Sequence, residues 1–173
     1  MLAATANQTI GPYWHLIEDP TWSDLTRFGA EGEKIILTGT VCDGAGSLVT
    51  DAAIEIWQSS PVASEIFPAF GRCRTDANGA FRFTTLKPGP VAGLGNAQQA
   101  PHVAISIFAR GLLNALTTRL YFQNEPLNEA DPVLSMIEDE ARRHTLIARR
   151  DASGAWNLDI RLQGDNETVF MEI

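Results

Sequence analysis

The chain has 173 residues, 45% of them hydrophobic, and its 21 Asp and Glu against 13 Lys and Arg give a formal net charge of −8. This length supports one substantial hydrophobic core and not two. The acidic balance argues against nucleic acid and anionic membranes as partners, because both require a basic face. The largest basic groups are only the pairs Arg142–Arg143 and Arg149–Arg150.

Targeting and cysteine content indicate a cytoplasmic protein. Only Cys42 and Cys73 are present, so a disulfide framework is not expected to stabilise the fold. The first 15 residues lack a basic region and a long apolar stretch, which argues against a signal peptide, and no segment approaches a membrane-spanning length. We therefore expect a reducing, cytoplasmic environment.

Residues 1–33 form a region of their own. They are rich in Pro, Gly, Trp and Thr and show no sustained period, which is typical of an arm or an irregular loop. Its aromatic side chains must be buried on this domain or on a partner chain. We predict an N-terminal arm at 1–33 that packs on a partner, followed by a single domain at 34–173.

From Lys34 onward the pattern indicates β-strands. Two hairpins are predicted, one across the turn at 43–46 and the other across Asn78-Gly79. The runs 102–110, 115–122, 144–149 and 155–163 also have the density of Val, Ile, Phe and Tyr expected of strands, and a short edge strand is predicted at 168–171. The segment "EADPVLSMIEDEARR" is the one predicted helix. The fold class is therefore all-β, a β-sandwich of about eight strands with one inserted short helix and an irregular N-terminal arm.

The histidines do not form a recognisable metal site. His15, His102 and His144 are widely separated, and no His-x-His pair is present. Zinc sites and two-histidine-one-carboxylate iron sites usually use closely spaced pairs. His102, at the head of a predicted strand, is either a ligand whose partners lie elsewhere or a structural strand residue. The residues alone give a β-sandwich with no complete active site.

The order of several segments resembles the intradiol ring-cleaving dioxygenases. The segments are "LTGTVCDGAGSLVTDAAIEIWQ", "FGRCRTDANGAFRFTTLKPGP", "APHVAISIFARG" and "TRLYF", and the likeness extends from "QTIGPY" to "GDNETVF". Within the family, the likeness is nearest to the α chains of the members that cleave protocatechuate. The resemblance implies a bacterial hetero-oligomer in which a catalytic β chain of the same family binds Fe(III).

The resemblance also shows where this chain departs from iron-binding members. Those members use two tyrosinates and two histidines. The tyrosine expected after the Pro-Gly-Pro turn is Val91, the second histidine of the His-x-His strand is Ala104, and only His102 remains. The loop "SSPVASEIFPAFG" has no tyrosine, and Gln99 stands where an arginine is expected. We call Val91, Gln99, His102 and Ala104 the vestigial site and expect no metal in this chain, because one imidazole cannot hold Fe(III).

The resemblance implies that this chain still contributes to substrate binding. The α chains are implied to place an N-terminal Thr-x-Gly-Pro segment and the arginine of "FARG" against the partner's active site. These residues are Thr9, Gly11, Pro12 and Arg110, and the guanidinium of Arg110 suits the substrate carboxylate. No catalytic residue is expected in this chain. Two alternatives remain, a self-contained iron intradiol dioxygenase and a stand-alone β-sandwich binding module.

Overall fold

The computed structural model describes residues 10–171 apart from Pro12 and Ile17. Its elements are mostly short strands. They are β1 (Lys34–Cys42), β2 (Ala53–Trp57), β3 (Phe70–Arg74), β4 (Ala80–Leu86), β5 (Val91–Ala92), β6 (Gln98–Gln99), β7 (His102–Phe108), β8 (Leu116–Phe122), β9 (Ile147–Arg150), β10 (Trp156–Asn157) and β11 (Ile160–Arg161). The helices are α1 (Pro132–Ser135) and α2 (Glu140–His144), with 3₁₀ turns at Trp14–Leu16, Pro20–Ser23 and Pro126–Ala130. Within this part of the chain, no helix is long and apolar enough to cross a membrane.

Nine of the strands in the described residues form one sheet that encloses the core. Their order is β11-β1-β10-β9-β8-β7-β2-β3, and β4 pairs with β1 outside this path. Alternate residues of β1 and β7 are buried, as the two-residue period of a half-buried strand requires. Side chains of β1 and β4 pack against those of β2, β7 and β8 in one cluster. The predicted all-β fold is confirmed.

Both predicted hairpins are wrong in their pairing. The turn at 43–46 exists, and the amide of Asp43 donates to the carbonyl of Ser47. However, β1 pairs with β4, and β2 pairs with β3 and β7. The chain therefore crosses between the two halves of the sheet at both turns, because the strands on either side of each turn pair with other strands and not with each other.

The predicted single helix is broken into the 3₁₀ turn at 126–130, α1 and α2. Two aspartates cause the breaks, because each begins a new helix. The side chain of Asp131 accepts backbone N–H groups at the start of α1, and the side chain of Asp139 does the same for α2. The helical segment is thus a series of short capped turns.

The last predicted strands are shorter than expected. The run 155–163 divides into β10 and β11, which pair with β1 on either side of Gly39. The carbonyl oxygen of Leu158 occupies the space that a Cβ at Gly39 would need, so the two backbones touch where the ladder is interrupted. The predicted edge strand at 168–171 is absent from the described structure, because Thr168 donates to Arg161 and Met171 to Thr117, which lie on different strands.

The described part of the N-terminal arm packs on this chain's own sheet. Leu25 is completely buried in the main core, and Ala30 is buried with it. The amide of Leu25 donates to the carbonyl of Thr84 in β4 at 2.9 Å. This segment therefore belongs to the domain core, whereas packing of the arm on a partner chain stays a prediction.

Lys87 has an unusual environment at the end of β4. Its Nζ lies 3.2 Å from the ring centroid of Phe122 and 5.4 Å from that of Trp156. The ring faces favour the ammonium ion, whereas loss of hydration disfavours it. Burial lowers the pKa of Lys87 to about 8, although Glu125 and Glu33 oppose this shift. The lysine therefore releases its proton at lower pH in the folded chain than in the unfolded chain.

The stability of the wild type relative to Lys87→Met is expected to rise between pH 8 and about pH 10.5. In this window the unfolded chain binds more protons at Lys87 than the folded chain, so the folding equilibrium gains as pH increases. Chemical unfolding of both proteins across this range measures the difference. Lys34→Met removes an exposed lysine of the same charge and is the matched control. A flat difference for Lys87→Met would contradict the assignment.

Candidate functional site

The vestigial site lies on the outer face of the sheet, at the start of β7. His102 pairs with Tyr121 of β8, and Ala104 pairs with Arg119. The intervening residue Val103 points into the core and is fully buried. Because side chains alternate along a strand, the four paired residues share the opposite face. The β5–β6 hairpin adds Val91, which pairs with Gln99.

His102 is held by local contacts. Its Nδ1 lies 2.7 Å from the carbonyl oxygen of Ala100, and its ring centroid is 5.6 Å from that of Tyr121. Burial lowers the pKa of His102, and the nearby Arg119 lowers it further, against the effect of the Ala100 carbonyl. The imidazole is therefore bonded to the backbone beside its own strand and favoured in its neutral form.

Polar side chains next to His102 form a continuous network. Nη1 of Arg119 donates to Oε1 of Gln99 at 2.6 Å and to the phenol oxygen of Tyr121 at 3.2 Å. The Tyr121 hydroxyl donates to Oδ1 of Asp131 at 3.2 Å. Burial raises the pKa of Tyr121, although Arg119 opposes this shift. The phenol is therefore protonated at neutral pH, and its hydroxyl hydrogen is held by the Asp131 carboxylate.

The vestigial site does not fit an iron ion. Val91 and Ala104 provide no donor atom, and the remaining histidine, His102, offers a single ring nitrogen because its Nδ1 is bonded to the Ala100 carbonyl. The guanidinium of Arg119, bonded to Gln99, adds a positive charge near His102. Among the described residues, no group of three or more His, Cys, Asp or Glu side chains could hold a metal ion.

Arg110 lies at the other end of β7 from the vestigial site. Eight residues of extended chain separate it from His102, which corresponds to about 26 Å. Its side chain is 86% exposed, and its Nε forms an ion pair with Oδ2 of Asp51. Ala53 of β2 pairs with Phe108 of β7, so Asp51 and Arg110 continue the same register two residues further on. One edge of the guanidinium is therefore held and the rest faces outward.

The N-terminal segment approaches the same end of the sheet as Arg110. Oε1 of Glu18 accepts the backbone N–H of Arg74 at 3.1 Å, and Arg74 pairs with Ala53 of β2. Gly11 has a φ of +81°, a conformation that favours glycine. Thr9 and Pro12 lie outside the described residues. The structure thus brings the segment after the Thr-x-Gly-Pro motif to the side of the molecule where Arg110 is exposed.

Comparison with known proteins gives the family. The family model described as "Dioxygenase" matches residues 15–164. The chain belongs to the intradiol ring-cleaving dioxygenase family. It is 40% identical to the protocatechuate 3,4-dioxygenase α chain of Pseudomonas putida, over 99% of this chain and 98% of the relative. It is 36% identical to the corresponding α chain of Burkholderia cepacia, with the same coverage.

More distant relatives include a β chain and a solved structure. The chain is 35% identical to the protocatechuate 3,4-dioxygenase β chain of Burkholderia cepacia, over 75% of this chain and 63% of the relative. The solved dioxygenase domain of a dioxygenase–carbohydrate-binding fusion from Streptomyces sp. SirexAA-E is 26% identical, with a TM-score of 0.62 over 94% of this chain and 99% of that one. The family fold therefore extends over nearly the entire chain.

Sequence reasoning missed three residues that shape these two regions. Asp51, which pairs with Arg110, lies in a loop and has no sequence signal apart from its charge. Arg119 and Asp131 lie 17 and 29 residues after His102, too far for a local motif to connect them. The Asp-Pro pair at 131–132 was a usable signal, because an aspartate before proline is a typical helix start.

Proposed function

We propose that this chain is the non-iron-binding α subunit of a bacterial, cytoplasmic protocatechuate 3,4-dioxygenase. The observation that carries the proposal is the 40% identity to such an α chain over nearly the full length of both proteins. The absence of donor atoms at Val91 and Ala104 supports it, because an iron-binding chain requires ligands at those positions. The catalytic partner is a β subunit that holds Fe(III), and the two chains form an obligate hetero-oligomer.

The complex cleaves protocatechuate with O2 to 3-carboxy-cis,cis-muconate. The ring opens between the two hydroxylated carbons, and both oxygen atoms of O2 enter the product. The metal chemistry belongs to the β subunit. This chain provides part of the pocket wall and the scaffold for assembly.

Arg110 is the residue that we assign to the substrate carboxylate. A guanidinium offers several N–H groups in one plane, and its ion pair with Asp51 uses only one edge of this fork. Asp51 restricts the side chain, which reduces the entropy lost when a substrate binds. The carboxylate of protocatechuate lies away from the two hydroxyls, so it can contact this chain while the hydroxyls face the partner's iron.

The N-terminal motif is assigned to the same pocket. Thr9 can donate through its hydroxyl or its amide, and Gly11 allows close approach of the backbone because it has no side chain. Pro12 fixes the direction of the chain after Gly11. The position of Glu18 beside Arg74 supports this assignment, since it brings the following segment to the sheet end that carries Arg110.

Co-expression tests the proposal. The chain is produced with and without a family β chain, and stoichiometry, iron content and ring cleavage are measured. We expect a complex with equal numbers of both chains, iron in proportion to β, and little cleavage by either chain alone. Iron and the colour of a tyrosinate complex in the isolated chain would instead support a self-contained enzyme. A stable monomer that does not bind the β chain would support a stand-alone binding module.

A further inference from the structure

The side chain of Arg119 lies at the centre of the polar network next to His102, where it contacts both Tyr121 and the sequence-distant Gln99. It is half-buried on the outer face of β8, opposite Ala104 of β7. Nη1 of Arg119 donates to Oε1 of Gln99 in β6 at 2.6 Å. The contact is short because one partner is charged.

The network continues from Arg119 to the start of α1. Tyr121 joins the guanidinium to Asp131, whose side chain is completely buried. The carboxylate of Asp131 also accepts the backbone N–H groups of Ala100, Val133 and Leu134, at 2.8 to 2.9 Å. A positive group on β8 and a negative group on the helical segment are thus joined through one phenol.

We propose that Arg119 is an internal cation that replaces a metal ion as the cross-link of the vestigial site. Its guanidinium joins β6 to β8 and, through Tyr121, to the carboxylate at the start of α1. The same positive charge opposes any metal ion near His102. The role of Arg119 does not depend on the substrate of the complex.

The structure favours this role over that of an ordinary surface arginine. An exposed arginine makes one weak ion pair that solvent screens, as Arg142 does with Glu167 at 3.8 Å. Arg119 instead has two side-chain acceptors on two separate strands. Both acceptors are neutral. The carboxylate of the network, Asp131, is joined to Arg119 through the Tyr121 hydroxyl. Loss of Arg119 would leave the Gln99 oxygen without this donor and weaken the attachment of the β5–β6 hairpin.

The cross-link is tested by a double-mutant cycle in the full chain. Arg119→Met is expected to increase the equilibrium constant for unfolding about 10- to 100-fold, because it removes charge-assisted hydrogen bonds in a half-buried site. Arg149→Met, on the exposed side of β9, is the matched control and should change it by less than about threefold. Gln99→Leu should have a clear effect in the wild type and a smaller one after Arg119→Met. Additive effects, or an Arg119→Met variant as stable as the control, would overturn the cross-link.

The exclusion of metal is tested with Zn²⁺ alone. Ala104→His creates a His-x-His pair with His102 on one face of β7, a spacing that suits a bound transition metal. The Ala104→His/Arg119→Met variant is expected to bind Zn²⁺ at least about tenfold more tightly than Ala104→His, since the residue opposite position 104 no longer carries a charge. Calorimetric titration of the folded proteins measures both affinities. Equal affinities would show that the guanidinium does not oppose the metal.

Discussion

The Arg110→Ala variant of the proposed αβ complex is expected to lose about 10- to 100-fold in kcat/KM for protocatechuate and to keep catechol cleavage within about twofold. Catechol has the same two hydroxyls and lacks the carboxylate. A charge-assisted contact to this carboxylate is therefore present with one substrate and absent with the other. The Arg110 side chain is exposed and its ion pair with Asp51 is formed through Nε, so the guanidinium is able to form this contact.

Steady-state kinetics with both substrates, together with subunit stoichiometry, measure the effect. Arg149→Ala removes another exposed arginine and should leave both substrates unaffected. Equal losses for protocatechuate and catechol would assign Arg110 to assembly and not to substrate binding. An unchanged kcat/KM for protocatechuate would remove Arg110 from the pocket altogether.

The Asp131→Ala variant is expected to lose about 3–5 kcal/mol of unfolding free energy, because the substitution removes a buried carboxylate that several donors share. Asp131 accepts three backbone N–H groups and the Tyr121 hydroxyl, and none of its side chain is exposed. Alanine leaves these donors buried without an acceptor. Urea unfolding of the wild type and the variant measures the difference.

Asp139→Ala is the matched control for Asp131→Ala. Asp139 also begins a short helix and accepts the amides of Ala141 and Arg142, but these contacts are exposed to solvent. Its loss should cost only about 1 kcal/mol, as for an ordinary helix cap. Asp131→Asn keeps one acceptor oxygen, so its loss of unfolding free energy should lie between those of Asp131→Ala and Asp139→Ala. Similar losses of unfolding free energy in Asp131→Ala and Asp139→Ala would show that burial of Asp131 does not determine its contribution.

Local sequence patterns predicted most strands and the start of β7, whose predicted end at residue 110 lies two residues beyond the observed end at Phe108. The alternation of apolar residues from His102 to Phe108 is a property of neighbouring residues, so it is visible without the fold. The same holds for the turns at 43–46 and 78–79, where glycine and aspartate determine the backbone. The pairing of these strands could not be predicted in this way, because β1 and β4 are brought together by burial of side chains from distant parts of the chain.

The same distinction between local sequence and tertiary structure applies to the candidate sites. The sequence by itself determined that Val91 and Ala104 cannot bind a metal ion, since this follows from side-chain chemistry alone, and that an arginine follows β7. Only the tertiary structure decided that Asp51 holds Arg110 and that Arg119 lies between Gln99 and Tyr121. Both arrangements depend on the register between strands. Register is a cooperative property of the packed sheet, and no single segment encodes it.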